Sequence, residues 1–360
     1  MRVALITRST LYTVKGGDTF QIINTASQLN RLGIAVDIKL TNQPVDYKQY
    51  DLLHFFNIVR PADIVNHIEK SNKPFVVSPN LVNYFEYDQQ YRKGIAGRLF
   101  KILPKNNIEY LKTLARWIQG NDSFASKSYL WKGHKRSIKQ ILQKASWLLP
   151  NSTLEYQQLA EYNSQLPLFT VVPNGVDPTI FSSYANTPRD PALILCVARI
   201  EGIKNQLNLI KALNNTQYRL MIIGAPAPNQ LSYYYECKKL AAANVSFINH
   251  LPQEALVPWY QKASVHILPS WFETCGLSTL EAAAMGCKVV ITEKGYTREY
   301  FENEAEYCDP ASPQSILQAV EKAAMKSNNE KLREKIFNHY TWQQAATLTA
   351  EAYKQVLSKQ

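Results

Sequence analysis

Residues Pro269–Thr292, PSWFETCGLSTLEAAAMGCKVVIT, decide how this chain folds. The apolar run SVHILP closes at Pro269 and reads as a buried strand. A polar loop follows, then GLSTLEAAAMG with helical spacing, then a second apolar strand, KVVIT. Strand, loop, helix and strand in this order make one unit of an open parallel sheet, where ligands sit beyond the carboxyl ends of the strands. Glu273 falls on the loop, and Glu281, eight residues on, falls at the start of the helix. The backbone N–H groups of Gly276, Leu277 and Ser278 have no partners inside that helix and make a seat for phosphate. A blander reading stays open: Glu281 stands three residues after Ser278, the spacing of a capping box that merely starts a helix.

The same alternation extends in both directions. Upstream, ALILCVARI is a near-continuous apolar strand of the kind buried on both faces of a parallel sheet. Arg199 stands at its end, and Lys204, five residues on, opens the helix NQLNLIKAL. Two cations beside a helix start can neutralise a leaving group's growing charge, although two surface cations at a strand end would read the same way. YRLMIIGAP, the helix around YYYECKKLAAA, VSFINH and QEALVPWYQKA continue the pattern, so the second half is a doubly wound sheet. His250, at the end of VSFINH, lies within possible reach of a nucleotide but carries no assignment.

The first half opens similarly. RVALITR reads as a strand, Gly16 and Gly17 open a helix with Ile22, Ala26 and Leu29 on one face, and Gly33 caps it. The glycine loop lacks G-x-G-x-x-G, which disfavours a dinucleotide cofactor, and an ordinary turn before a helix would look alike. DLLHFFNIV and PFVVSP are further buried strands, and Asn57, Ser78 and Asn80 are polar groups at strand ends.

With 360 residues, 46% hydrophobic and 19% charged, the chain has the composition of a folded protein of two domains. No apolar run approaches the roughly 20 residues needed to span a bilayer. The N-terminus reads as a first strand rather than a secretory signal, so a cytosolic protein is expected. The five cysteines show no C-x-x-C spacing, which makes disulfides and a structural zinc site unexpected. The net charge of +11 is concentrated: Arg92 to Lys144 holds thirteen Lys or Arg against Glu109 and Asp122. This helical insert, about 84–145, interleaves cations with Leu99, Phe100, Trp117 and Trp131. Such helices suit an anionic membrane surface, while a solvated basic face over an ordinary core is the alternative. No recognised nucleic-acid motif accompanies the charge.

ETCGLSTLE resembles the E-x7-E signature of retaining, nucleotide-sugar-dependent glycosyltransferases with the GT-B fold, most like the family 4 group (glycosyl transferases group 1). PNGVD followed by Phe181 resembles their interdomain junction, and Arg199 with Lys204 resembles their diphosphate clamp. The resemblance covers almost the whole chain and is stronger in the second half. It implies an α/β protein of two facing Rossmann-like doubly wound domains with a cleft between them. Residues 1–172 would be the acceptor-side domain, 173–338 the sugar-donor domain, and 339–360 a helix returning to the first.

By resemblance, Glu273 touches the donor sugar, Arg199 and Lys204 stabilise the departing diphosphate, and Glu281 binds the ribose. Gly276, Leu277 and Ser278 line the diphosphate, with Gly16 and Gly17 over it. Asn57, Ser78 and Asn80 face the acceptor. The family implies a UDP- or GDP-sugar as co-substrate, retention at the anomeric carbon, and the leaving phosphate as proton acceptor. It implies no metal and no cofactor, and no D-x-D-type carboxylate pair flanks a strand end. The expected acceptor is a glycan or polyprenyl-diphosphate-linked chain of a bacterial surface polysaccharide, with the protein peripheral on the inner face of the plasma membrane.

There are departures. The usual Phe before the glycine is Cys275, a smaller side chain expected to reshape the sugar pocket. The histidines often found near Phe56 and near Ser78 to Asn80 are missing, so His54 reads as a packed core residue. These departures keep a non-catalytic binding module open, beside another GT-B enzyme such as a phosphorylase or a sugar-nucleotide epimerase.

Overall fold

A computed structural model describes all residues except 119–126, 183–187, 328–329 and 360. Its chain divides into two compact units, 1–82 with 93–174 and 342–360, and 83–92 with 175–341. After the excursion at 83–92, the chain passes to the second unit at 174/175, two residues beyond the expected 172/173, and returns to the first at 341/342. Residues 83–92, all but the first expected within the basic insert, pack with the second unit.

The first unit runs β1 (Arg2–Thr7), α1 (Gly17–Arg31), β2 (Ala35–Leu40), β3 (Leu52–Phe56), α2 (Pro61–Ile68), β4 (Phe75–Ser78), α3 (Gly94–Phe100), α4 (Lys105–Ile118), α5 (Lys127–Lys144), β5 (Trp147–Leu148) and α6 (Thr153–Gln158). Its sheet is parallel, in the order β2-β1-β3-β4-β5. All five residues of β3, LLHFF, are buried, as a strand covered by helices on both faces must be. Leu53, Phe55 and Val77 pack with Ile138, Ile141 and Leu142 of α5 in one core. Each such aliphatic or aromatic side chain stabilises the fold by about 1.5–3 kcal/mol relative to its exposed state.

The second unit runs α7 (Pro178–Phe181), β6 (Asp190–Val197), α8 (Gln206–Leu213), β7 (Arg219–Ile223), α9 (Leu231–Leu240), β8 (Val245–Ile248), α10 (Gln253–Lys262), β9 (Ala263–Leu268), α11 (Leu277–Ala284), β10 (Lys288–Thr292), α12 (Thr297–Phe301), β11 (Glu306–Cys308), α13 (Pro313–Met325) and α14 (Glu330–His339). Its parallel sheet has the order β11-β10-β9-β6-β7-β8. Two cores cover its faces, one built around Leu195, Leu268 and Ile291, the other around Ile194, Ile267 and Val290. All five cysteines are buried.

The last helix, α15 (Trp342–Leu357), belongs to the first unit and packs against α1. Its Tyr353 hydroxyl meets His54 Nδ1 at 2.7 Å, and His54 Nε2 meets Ser78 Oγ at 2.8 Å. His54 is 1% exposed, and burial lowers its pKa to about 3. It is therefore a neutral, fully bonded core imidazole that ties β3 and β4 to α15.

Strand order fixes where a site can form. In the second sheet β6 has β7 on one side and β9 on the other, so the chain's winding reverses there. Loops after β6 and β9 diverge at such a point and leave a crevice beyond the strand ends. The corresponding reversal in the first sheet lies at β1 and β3.

Candidate functional site

The loop after β6 carries Arg199, Glu201 and Lys204, and the loop after β9 carries Glu273. Across the reversal point Lys204 Nζ reaches Glu273 Oε1 at 2.5 Å, with side chains 20% and 9% exposed. Burial alone would lower the Lys204 pKa. The Glu273 charge, Tyr84 and the Glu273 hydrogen bond outweigh it, and the ammonium is held above its ordinary pKa. Arg199 donates through Nε (3.0 Å) and Nη2 (2.7 Å) to Glu201 Oε1. The site is thus two cations, each on a carboxylate from the same crevice.

The backbone under Glu273 is fixed by its neighbour strand. Glu273 N–H donates to Lys294 O, Glu273 O accepts from Tyr296 N–H at 3.0 Å, and Glu273 bridges Gly295. Gly295 has φ +110, and a Cβ there would fall 2.0 Å from Glu273 O. Only glycine fits so close an approach. The structural effect of Gly295 is to hold Glu273.

Gly276 is the N-cap of α11, in the left-handed region at φ +70. Leu277 and Ser278 are the first two residues inside the helix, so their amides and that of Gly276 precede the intrahelical ladder. The capping-box reading of Glu281 does not hold, because Gly276 rather than Ser278 is the cap and no side chain closes it. Instead Glu281 turns toward α10, where Gln253 Nε2 donates to Oε1 (2.6 Å) and Tyr260 Oη donates to Oε2 (3.0 Å). Gln253 and Tyr260 escaped the sequence reading, although seven residues apart they share one helix face. Burial raises the Glu281 pKa from 4.5 to about 7, against the opposing pull of those two hydrogen bonds.

Two further positions can be placed, Cys275, expected to shape a pocket, and His250, which carried no assignment. Cys275 is 1% exposed and packs in the core around Leu280 and Ile291, so its size acts on that core rather than on a sugar pocket. His250 is exposed after the edge strand β8, two strands from β6.

The remaining predicted residues lie in the first unit. Gly16 caps α1 and Gly17 is its first residue. The loop before them is organised by Arg8, which the sequence reading passed over: its guanidinium binds Asp18 (2.6 Å), Thr10 O (2.8 Å) and Val14 O (2.7 Å). Asn57 and Asn80 end β3 and β4 in left-handed conformations, φ +68 and +46. Asn57 Oδ1 is buried without a hydrogen-bond partner among the described residues. Asn80, Gln21 and Asn151 close a ring, each side-chain amide donating to the next at 2.8–3.0 Å. Ser78, by contrast, is 3% exposed and engaged by His54, which takes its hydroxyl away from the strand-end surface.

The Glu281 environment makes a stability prediction. Its folded pKa lies above the unfolded value, so its contribution is fully present below about pH 4.5 and is lost as pH rises through about 7. Wild type should therefore lose about 3 kcal/mol relative to Glu281→Gln between pH 4 and pH 9. Urea denaturation of both proteins across that range measures the difference; parallel curves would contradict the assignment.

Residues 180–339 match the glycosyl transferases group 1 family. A glycogen synthase of Mycobacterium tuberculosis is 28% identical over 236 residues, 60% of this chain and 57% of that protein. The chain thus spans little more than half the length of that relative. Among solved structures, a sucrose-phosphate synthase from Thermosynechococcus elongatus superposes over 100% of both chains with a TM-score of 0.76 at 17% identity. HepE of Anabaena, in complex with UDP and glucose, covers 98% of this chain and 99% of its own with a TM-score of 0.67 at 16% identity. Joined to the strand orders of the two sheets, these likenesses show the GT-B fold, within which residues 180–339 match the glycosyl transferases group 1 family.

Proposed function

We propose that the protein transfers a sugar from a nucleoside diphosphate sugar, UDP- or GDP-linked, to a glycan or lipid-linked acceptor with retention at the anomeric carbon. The observation that carries this reading is the Lys204–Glu273 pair, 2.5 Å apart at the reversal of the second sheet, beside Arg199. A diphosphate arriving there would take over the two cations, and the α11 amides of Gly276, Leu277 and Ser278 would hold its oxygens. Glu273, released from Lys204, would orient the sugar hydroxyls. Glu281, already fixed by Gln253 and Tyr260, would accept from the ribose hydroxyls.

In the proposed step the bond between the anomeric carbon and the diphosphate oxygen breaks with its electrons on the phosphate. The acceptor oxygen bonds to the same carbon from the same face, and its proton passes to the leaving phosphate. Arg199 and Lys204 stabilise the charge that develops on that leaving group, the kind of electrostatic contribution that dominates many enzymes. That HepE was solved with UDP and glucose supports a nucleotide-sugar donor. Asn57 and Asn80 are the proposed acceptor contacts in the first unit. Ser78, bonded to His54, fits that role less well.

The basic insert supports an anionic membrane as the place where the acceptor is met. Trp131 is 90% exposed, Ile95 87%, Ile102 79% and Ile118 77%. Lys132, Lys135, Arg136 and Lys139 are exposed on α5, the helix that carries Trp131. Apolar tips that enter the interface beside cations that meet headgroups are the two components of peripheral binding. Residues 119–126 of the insert lie outside the described part, and no described helix is long and apolar enough to cross a membrane.

Two outcomes test this. With a nucleotide sugar and a polysaccharide or polyprenyl-linked acceptor, Lys204→Ala should lower kcat about a hundredfold. The product's anomeric proton coupling should report the configuration of the donor; an inverted product would overturn the proposed stereochemistry. Separately, reversing Lys132, Lys135, Arg136 and Lys139 to Glu should abolish sedimentation with phosphatidylglycerol vesicles, since each cation contributes about 1 kcal/mol near such a surface. Equal sedimentation of wild type and variant would remove the membrane reading.

A further inference from the structure

Between Val82 and Lys93 the chain leaves the first unit, and the ten residues Asn83–Arg92 pack with the second. They form a strap with a wide π-helical turn at Tyr87–Tyr91, closed by Arg92 N–H to Tyr87 O at 2.8 Å. The Tyr91 ring stacks on Trp271 with centroids 3.8 Å apart, Tyr87 flanks the same indole at 6.2 Å, and Tyr84 meets Phe272 edge-on at 6.2 Å. Glu86 pairs with Lys294 at 3.1 Å, one residue before Gly295. Arg92 pairs with the fully buried Asp88 at 2.6 Å. Beneath the strap lies Gly202, where a Cβ would fall 1.9 Å from the Tyr87 hydroxyl oxygen. The strap therefore rests on both loops that build the site, the one before Lys204 and the one before Glu273.

Tyr84 is the strap residue set among the charges. Lys204, Glu273, Glu201 and Arg199 all act on it electrostatically, and burial above all keeps its phenol protonated well beyond the usual range. Its hydroxyl has no hydrogen-bond partner among the described residues, whereas each of those four charges already has one. A neutral O–H donor, held in place by aromatic packing and left unused, is what an incoming anion can engage without displacing anything.

We propose that Tyr84 is a substrate-positioning residue whose O–H donates to a phosphate oxygen of the nucleoside diphosphate bound at Arg199 and Lys204, with Asn83–Arg92 as the part of the site that carries it. This rests on the sugar-donor reading above and adds a contact from outside the 180–339 family match. A hydrogen bond to a charged partner is lost in Tyr84→Phe, which should weaken UDP or GDP binding about tenfold.

Isothermal titration of UDP and GDP into wild type, Tyr84→Phe and Glu281→Ala tests it, with hydrogen exchange of the 83–92 peptide with and without nucleotide. The expected result is tight binding by wild type, the tenfold loss in Tyr84→Phe with an unchanged melting temperature, and slower exchange of the strap on binding. Binding by wild type, loss in Glu281→Ala and unaltered affinity in Tyr84→Phe would overturn the strap assignment alone. Unchanged exchange of the strap on binding would overturn it too. Absence of binding by wild type would overturn it together with the sugar-donor reading.

Discussion

A lysine ammonium and a glutamate carboxylate meet at 2.5 Å at the reversal of the second sheet, largely shielded from water. Such a pair is a poor way to stabilise a fold, because desolvating both charges offsets most of their attraction. Removing either partner would leave the other buried and uncompensated, which costs about 3–5 kcal/mol. On the proposed reading it is a site held ready: the two charges neutralise each other until an anion takes the lysine and a polar ligand takes the glutamate. Arg199 and Glu201 repeat the device a few residues away. Much of the surrounding structure serves to keep these groups in place.

That service can be followed through the fold. The reversal at β6 and β9 parts the two loops, and Gly295 lets the β10 loop approach Glu273 closely enough to bond its backbone on both sides. Gln253 and Tyr260 on α10 aim Glu281, and the aromatic strap lies across Trp271 and Gly202. In the first unit, Arg8 and the ring of Gln21, Asn80 and Asn151 do comparable work on the strand-end loops. The shared principle is that loops bear the chemistry while packed elements fix them.

Much of this was legible in the sequence because it is local. Near-continuous apolar strands alternating with amphipathic helices specify parallel sheets, and the stretch around Glu273 and Glu281 announces its own strand, loop and helix. What escaped depends on contacts between distant residues. Tyr84, Tyr87 and Tyr91 are spaced like one face of any helix, and nothing local says that their partner is Trp271. The strap was therefore read as the beginning of the basic insert. Ser78 looked like an available strand-end hydroxyl because its partner, His54, lies on a neighbouring strand. Cys275 looked like a pocket residue because spacing does not reveal which side of a loop faces the core. The capping-box spacing of Ser278 and Glu281 misled for a related reason: the helix starts at Gly276, and Tyr260 gives the carboxylate another partner.

The most direct test of the account is thermal denaturation of the protein with a panel of nucleoside diphosphates, wild type beside Lys204→Ala. A ligand present at about a hundred times its dissociation constant stabilises by about 2.7 kcal/mol. The account predicts such a shift with one diphosphate for wild type and its loss in Lys204→Ala. Wild type that melts at the same temperature with every nucleotide would contradict the claim that the Lys204–Glu273 pair is a diphosphate seat.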